Sequence, residues 1–65
     1  MKQYKVVLKY NEQDGETCYI EAEGFIHDKE ELVLEVNGGA VAVFKTEYVA
    51  YIRDVTDKVK VSKAI

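Results

Sequence analysis

The sequence predicts an all-β domain: five antiparallel strands, closed into a small barrel or bent strongly upon themselves. Three observations carry this. Apolar residues recur with period 2 through successive short runs, the pattern of strands with one buried face. Polar segments separate the runs, and Asn37-Gly38-Gly39, between ELVLEV and AVAVFKT, is among the strongest short-range signals for a β-hairpin. Proline is absent, and no helical period persists beyond about one turn.

The elements follow in chain order. Tyr4, Val6, Leu8 and Tyr10 alternate with Lys5, Val7 and Lys9, which makes a first strand. Asn11 to Gly15 reads as a loop ending in the turn signal Asp14-Gly15. Glu16 to Glu23 resumes the alternation, with Cys18, Ile20 and Ala22 on one face. Gly24 interrupts the extended run EAEGFI, and a glycine inside a strand often marks a bulge or bend. A bend there carries Phe25 and Ile26 around a corner, as a small closed sheet requires. Gly24 is then expected in a conformation costly for any side chain.

His27 to Glu30 is a polar connection, and the Asn37 hairpin supplies two more strands. Leu32, Leu34 and Val36 form its core face, because Glu31 and Glu35 alternate with them. A two-residue loop would set Val41 and Val43 opposite the leucines. A three-residue loop would bury Ala40, Ala42 and Phe44 instead, and leave Val33, Val41 and Val43 outside. The second is favoured, since phenylalanine gains more from burial and Gly39 suits a left-handed position in a bulged turn. Thr46-Glu47-Tyr48 reads as one tight turn before a last strand, Val49 to Asp54. Residues 1–57 thus make a single β domain, and 58–65 a tail or short edge strand through Val59 and Val61.

Sixty-five residues sit at the size where a core alone rarely contributes more than roughly 3–5 kcal/mol. The usual supports are missing: a single cysteine makes no intramolecular disulfide, and one cysteine with one histidine makes no structural zinc site. Self-association is the support left over. The N-terminus MKQYKVVLKY lacks the apolar run of a signal peptide, and no stretch approaches membrane-spanning length. A reducing, cytoplasmic setting is expected, with Cys18 a buried, inert thiol on a strand face.

Net charge is −3, spread unevenly. Lys2, Lys5 and Lys9 make the start basic, Lys58, Lys60 and Lys63 the end, and acidic residues from Glu12 to Glu35 fill the middle. A chain that grips phosphate backbones usually carries a basic surplus, which argues against a nucleic-acid partner. The alternative uses those six lysines, should both termini converge on one face.

Catalysis finds no equipment. A nucleophile needs an adjacent base, and the only histidine, His27, lies in a charged loop, while the only serine, Ser62, lies in the tail. His27, Asp28, Glu30 and Glu31 lack the spacing of a metal-ligand loop, and Glu21 with Glu23 reads as a solvated acidic face. Gly38-Gly39 follows a strand but opens no helix, so no dinucleotide-binding loop is indicated. The expectation is a protein that is no enzyme, with no catalytic residue, cofactor or metal. What the composition does offer is five tyrosines, a residue that suits strands and is enriched at contact surfaces. Val7, Tyr19, Val33, Val41, Val43 and Tyr51 fall on the faces turned away from the core. They are the candidate contact residues, since a sheet apolar on both faces wants a partner.

The spacing Val43-Phe44, then Val49 and Ile52, after the LVLEVNGG and YKVVL hairpins, resembles the small SH3-like β-barrel proteins of phages, prophages and Gram-positive bacteria. The resemblance spans roughly residues 4–55. It implies a five-stranded SH3-like barrel and leaves function open, because that fold hosts peptide binders, nucleic-acid binders and oligomeric adaptors. The tryptophan and ALYDY-like motif of peptide-binding SH3 domains are absent, which argues against polyproline recognition. The Sm-like RNA binders are similar in outline but carry an N-terminal helix that this chain lacks. The expected function is a protein-binding or oligomeric accessory module, its partner itself or another protein. An Sm-like or SH3-like nucleic-acid binder is the alternative.

Overall fold

Strand β1 (Lys2–Tyr10) lies at the centre of one antiparallel sheet, flanked by β2 (Gln13–Ala22) and β6 (Val49–Asp54). Strand β4 (Glu31–Val36) lies at the centre of a second, flanked by β3 (Gly24–His27) and β5 (Gly39–Lys45). The computed structural model describes residues 1–10 and 13–57, so the expected tail strand falls outside the described residues. A 3₁₀ turn, Thr46–Tyr48, leads from β5 into β6, as the sequence predicts. The protein is all-β and antiparallel. Among the described residues no ladder joins the two sheets, so they do not close into a barrel.

The predicted second strand is split by the corner. Glu23 separates β2 from β3 and hands the chain from one sheet to the other; its N–H donates to the Glu35 carbonyl at 2.8 Å, and its carboxylate accepts from the Asn37 N–H at 2.6 Å. The expected strain at Gly24 is absent. Its φ is not positive, and a Cβ there would meet nothing within 4 Å. Asp14-Gly15 is likewise no turn, for both lie inside β2, with Asp14 opposite Lys9. Gly15 is small for a different reason: a Cβ would come within 2.3 Å of the Tyr10 ring, which lies across it.

The central hairpin reaches the favoured face assignment by an unexpected route. Val36 pairs with Gly39, so the loop has two residues, Asn37 and Gly38, both with positive φ (53° and 76°). That is the geometry of the tight turn matching strand twist, and Gly39 takes no part in the left-handed region. Parity is then reset by a bulge. Glu35 pairs with Ala40 but Leu34 with Ala42, so Val41 is the extra residue. Ala42 and Phe44 consequently face the core and Val43 faces out, while Ala40, expected inside, is exposed.

The core lies between the sheets. Tyr4, Val6, Ala22, Leu32, Leu34 and Val49 are buried, with Leu8, Cys18, Ile20, Val36, Ala42, Phe44 and Ile52 half-buried around them. Tyr4 meets Phe25 edge-on, ring centroids 5.4 Å apart, a favourable aromatic geometry that joins one sheet to the other. The end of β6 is pinned to β1, the Val55 N–H donating to the Gln3 carbonyl and the Gln3 N–H to Thr56 Oγ1. The smallest extent of the molecule is 13 Å, little more than the ~10 Å between packed sheets. Among the described residues no third layer of strands or helices covers either outer face.

Two exposed carboxylates organise turns. Asp28 accepts the N–H groups of Glu30 and Glu31 at 2.8 and 2.9 Å, and its own carbonyl accepts from the Thr46 hydroxyl at 2.7 Å. Asp54 accepts from the hydroxyl and N–H of Thr56. The Glu31 and Glu30 N–H groups hold Asp28 below the usual carboxylate range, and the Thr56 hydroxyl and N–H do the same for Asp54. Both pKa values are depressed on folding. Their contribution is therefore complete above the ordinary carboxylate value near 4 and is lost as pH falls through the lower folded values. Urea titrations between about pH 2 and 5 should show stability declining with acid. The double variant Asp28→Ala, Asp54→Ala should show a shallower decline.

Candidate protein-contact surface

The six candidate residues fall on two separate outer faces. Val33, Val41 and Val43 lie on the β3–β4–β5 sheet; Val7, Tyr19 and Tyr51 lie on the β2–β1–β6 sheet.

On the first face, Ile26, Val33 and Val43 are direct cross-strand partners, so three β-branched side chains form one row across three strands. Ile26 points outward because its neighbour Phe25 is turned in against Tyr4. Ile26, Val41 and Val43 are each more than half exposed (55%, 53% and 54%), and Val33 is half-buried between its neighbours. Glu31 and Lys45 form the next outward pair at one end, Glu35 and Ala40 at the other. The face is an aliphatic row bracketed by charge. Ile26 was not among the sequence candidates. Its signal was there in the alternation of Phe25 and Ile26, but the partner strand that aligns it with Val33 could not be read without the corner at Glu23.

The second face is of another kind. Tyr19, Lys5 and Arg53 form one cross-strand row, and Thr17, Val7 and Tyr51 the next. Val7 is only 3% exposed and offers nothing to a partner, which corrects its place among the candidates. Tyr51, its neighbour on β6, is half-buried, with the Arg53 guanidinium carbon 5.3 Å and Lys5 Nζ 6.0 Å from its ring centroid. These are cation–π distances. Tyr19 stands 63% exposed.

Between the sheets, where the end of β1 approaches β5, an open cleft of about 530 Å³ is lined by Leu8, Lys9, Tyr10, Val43, Phe44, Lys45 and Tyr48. Its floor is apolar, and its titratable groups are two lysines and two tyrosines. The Tyr10 hydroxyl donates to Glu16, and that bond raises the phenol above its ordinary value. Such a set can grip an apolar or anionic group but supplies no nucleophile with its base.

His27, Asp28, Glu30 and Glu31 are exposed at the β3–β4 turn, where Asp28 is occupied by backbone N–H groups. Among the described residues no three His, Cys, Asp or Glu side chains are grouped to hold a metal ion. Cys18 is a free thiol, half-buried against the core. No helix among the described residues is long and apolar enough to cross a membrane. Comparison with family models, curated proteins and solved structures finds no match to this chain.

Proposed function

We propose that this chain is a non-enzymatic contact module that self-associates by stacking the outer face of its β3–β4–β5 sheet on the same face of a second copy. The observation that carries the proposal is the exposed row Ile26–Val33–Val43, extended by Val41 at the bulge. An aliphatic row of this kind is self-complementary, and stacking two such faces makes a sandwich core about 10 Å thick. Among the described residues no further element lies on that sheet face, and a second copy would supply a covering layer. The SH3-like architecture belongs to the proposal too, supported by the strand that turns at Glu23 from one sheet into the other. A reducing cytoplasmic setting suits its lone thiol.

Three strands about 4.8 Å apart and six residues long give a face of roughly 14 × 20 Å. That is small beside the roughly 800 Å² per partner of stable specific complexes. Association at micromolar concentrations is expected, rather than a permanent dimer. Val33→Lys and Val43→Lys should each shift gel-filtration elution to the monomer position while keeping the far-ultraviolet spectrum of the wild type. Tyr19→Lys, on the opposite sheet, should leave association unchanged. If Tyr19→Lys dissociates the protein and the two valine variants do not, association runs through the β2–β1–β6 face and the proposal fails. Capture of a different protein on the valine face by the monomeric wild type would turn the module into an adaptor.

A further inference from the structure

The outer face of the β2–β1–β6 sheet is a second exposed surface. It is neither core nor the aliphatic row. The only arginine of the chain, Arg53, is in register with Lys5, and Lys5 with Tyr19; the Tyr51 ring lies within reach of both cations. Glu21 shares the face, and it accepts a hydrogen bond from Gln3 Nε2 at 2.9 Å. The acidic residues Asp28, Glu30, Glu31 and Glu35 belong to the other sheet and its turn. Strand pairing thus sets Lys5 and Arg53 side by side with Tyr19 although the three are far apart along the chain.

We propose that this face binds single-stranded nucleic acid, without sequence preference and independently of self-association. Surfaces of that kind combine exposed aromatic rings, on which bases stack, with cations that follow the backbone. Here Tyr19 is the open ring, Lys5 and Arg53 are the cations, and Tyr51 holds the two cations close together. Tyr19 and Tyr51 sit two strands and one row apart, a separation of roughly 12 Å from strand spacings, with Lys5 between them. Stacked duplex bases hide their faces from such a surface, so a single strand is the form it fits. An acidic peptide would satisfy the cations but leave the Tyr19 ring without a flat partner.

The test is fluorescence anisotropy of a labelled oligothymidylate of about ten nucleotides, titrated with the full chain at roughly 50 mM salt. Binding should weaken as salt rises, with a log–log slope near −1.4, that is, about −0.7 for each of two phosphates. Tyr19→Ser should weaken it about fivefold or more, the loss of one stacked base, and Arg53→Gln should weaken it and make the slope shallower. Lys29→Gln, the same charge change at the exposed β3–β4 turn of the opposite sheet, should leave affinity and slope as they are. Poly-glutamate at matched charge should compete poorly. The proposal is overturned by absence of binding at low salt, by equal losses in Tyr19→Ser and Lys29→Gln, or by poly-glutamate competing as well as the oligonucleotide.

Discussion

Leu34→Ala should destabilise the protein by about 2–5 kcal/mol, the range for truncating a buried leucine. Leu34 has no exposed surface and sits mid-row between Phe25 on β3 and Ala42 on β5, in one buried cluster with Tyr4 and Val6 of the other sheet. Both flanking side chains are tied to their strands, so the site collapses poorly around a missing isobutyl group. A core of this size contributes roughly 3–5 kcal/mol in all. The variant should therefore be substantially unfolded at room temperature, and chemical denaturation in the presence of a stabilising osmolyte gives the difference. A loss under about 1 kcal/mol would mean that the two sheets do not share this core.

The second large effect separates two glycines. Gly38 has φ +76°, a region that costs an L-residue roughly 1–2 kcal/mol and a β-branched one more. Gly38→Val should lose at least that amount, with the loss appearing as an earlier urea midpoint at unchanged m-value. Gly24→Val should be neutral or stabilising. Its backbone is unstrained, a Cβ there has open space, and valine is the better strand former. The opposite ranking would place the chain's strained corner at Gly24 and undo the hairpin geometry described for Asn37-Gly38.

The contrast shows how far the sequence could be read. Period-2 alternation located the strands well: β6 and the 3₁₀ turn before it fall where Val49–Asp54 and Thr46-Glu47-Tyr48 predict them. The existence of a corner was legible from Gly24, but its mechanism was not. Glu23 makes the turn through bonds to Glu35 and Asn37, and both partners are remote in sequence. Alternation with a three-residue loop turns Val33 and Val43 outward. A two-residue turn plus a bulge at Val41 produces the same faces, and alternation alone does not distinguish the two.

Tyr10 and Gly15 teach a similar lesson. Asp14-Gly15 carries a turn signal, yet both lie inside a strand, and the Tyr10 ring of the paired strand lies across Gly15 where a Cβ would meet it. Such cross-strand requirements leave no local pattern. Charge was the least legible feature. A net charge of −3 argues against anionic partners only when the charges are mixed in space, and strand pairing decides that. Lys5 and Arg53 are far apart along the chain and adjacent in register.

Self-association through the β3–β4–β5 face is the central claim, and sedimentation equilibrium tests it most directly. Across a concentration series spanning the micromolar range, the wild type should move from the mass of one 7.4 kDa chain toward twice that mass, with the apparent mass of Val33→Lys remaining at the monomer value. A wild type that sediments as a monomer throughout the series, indistinguishable from Val33→Lys, would contradict the claim.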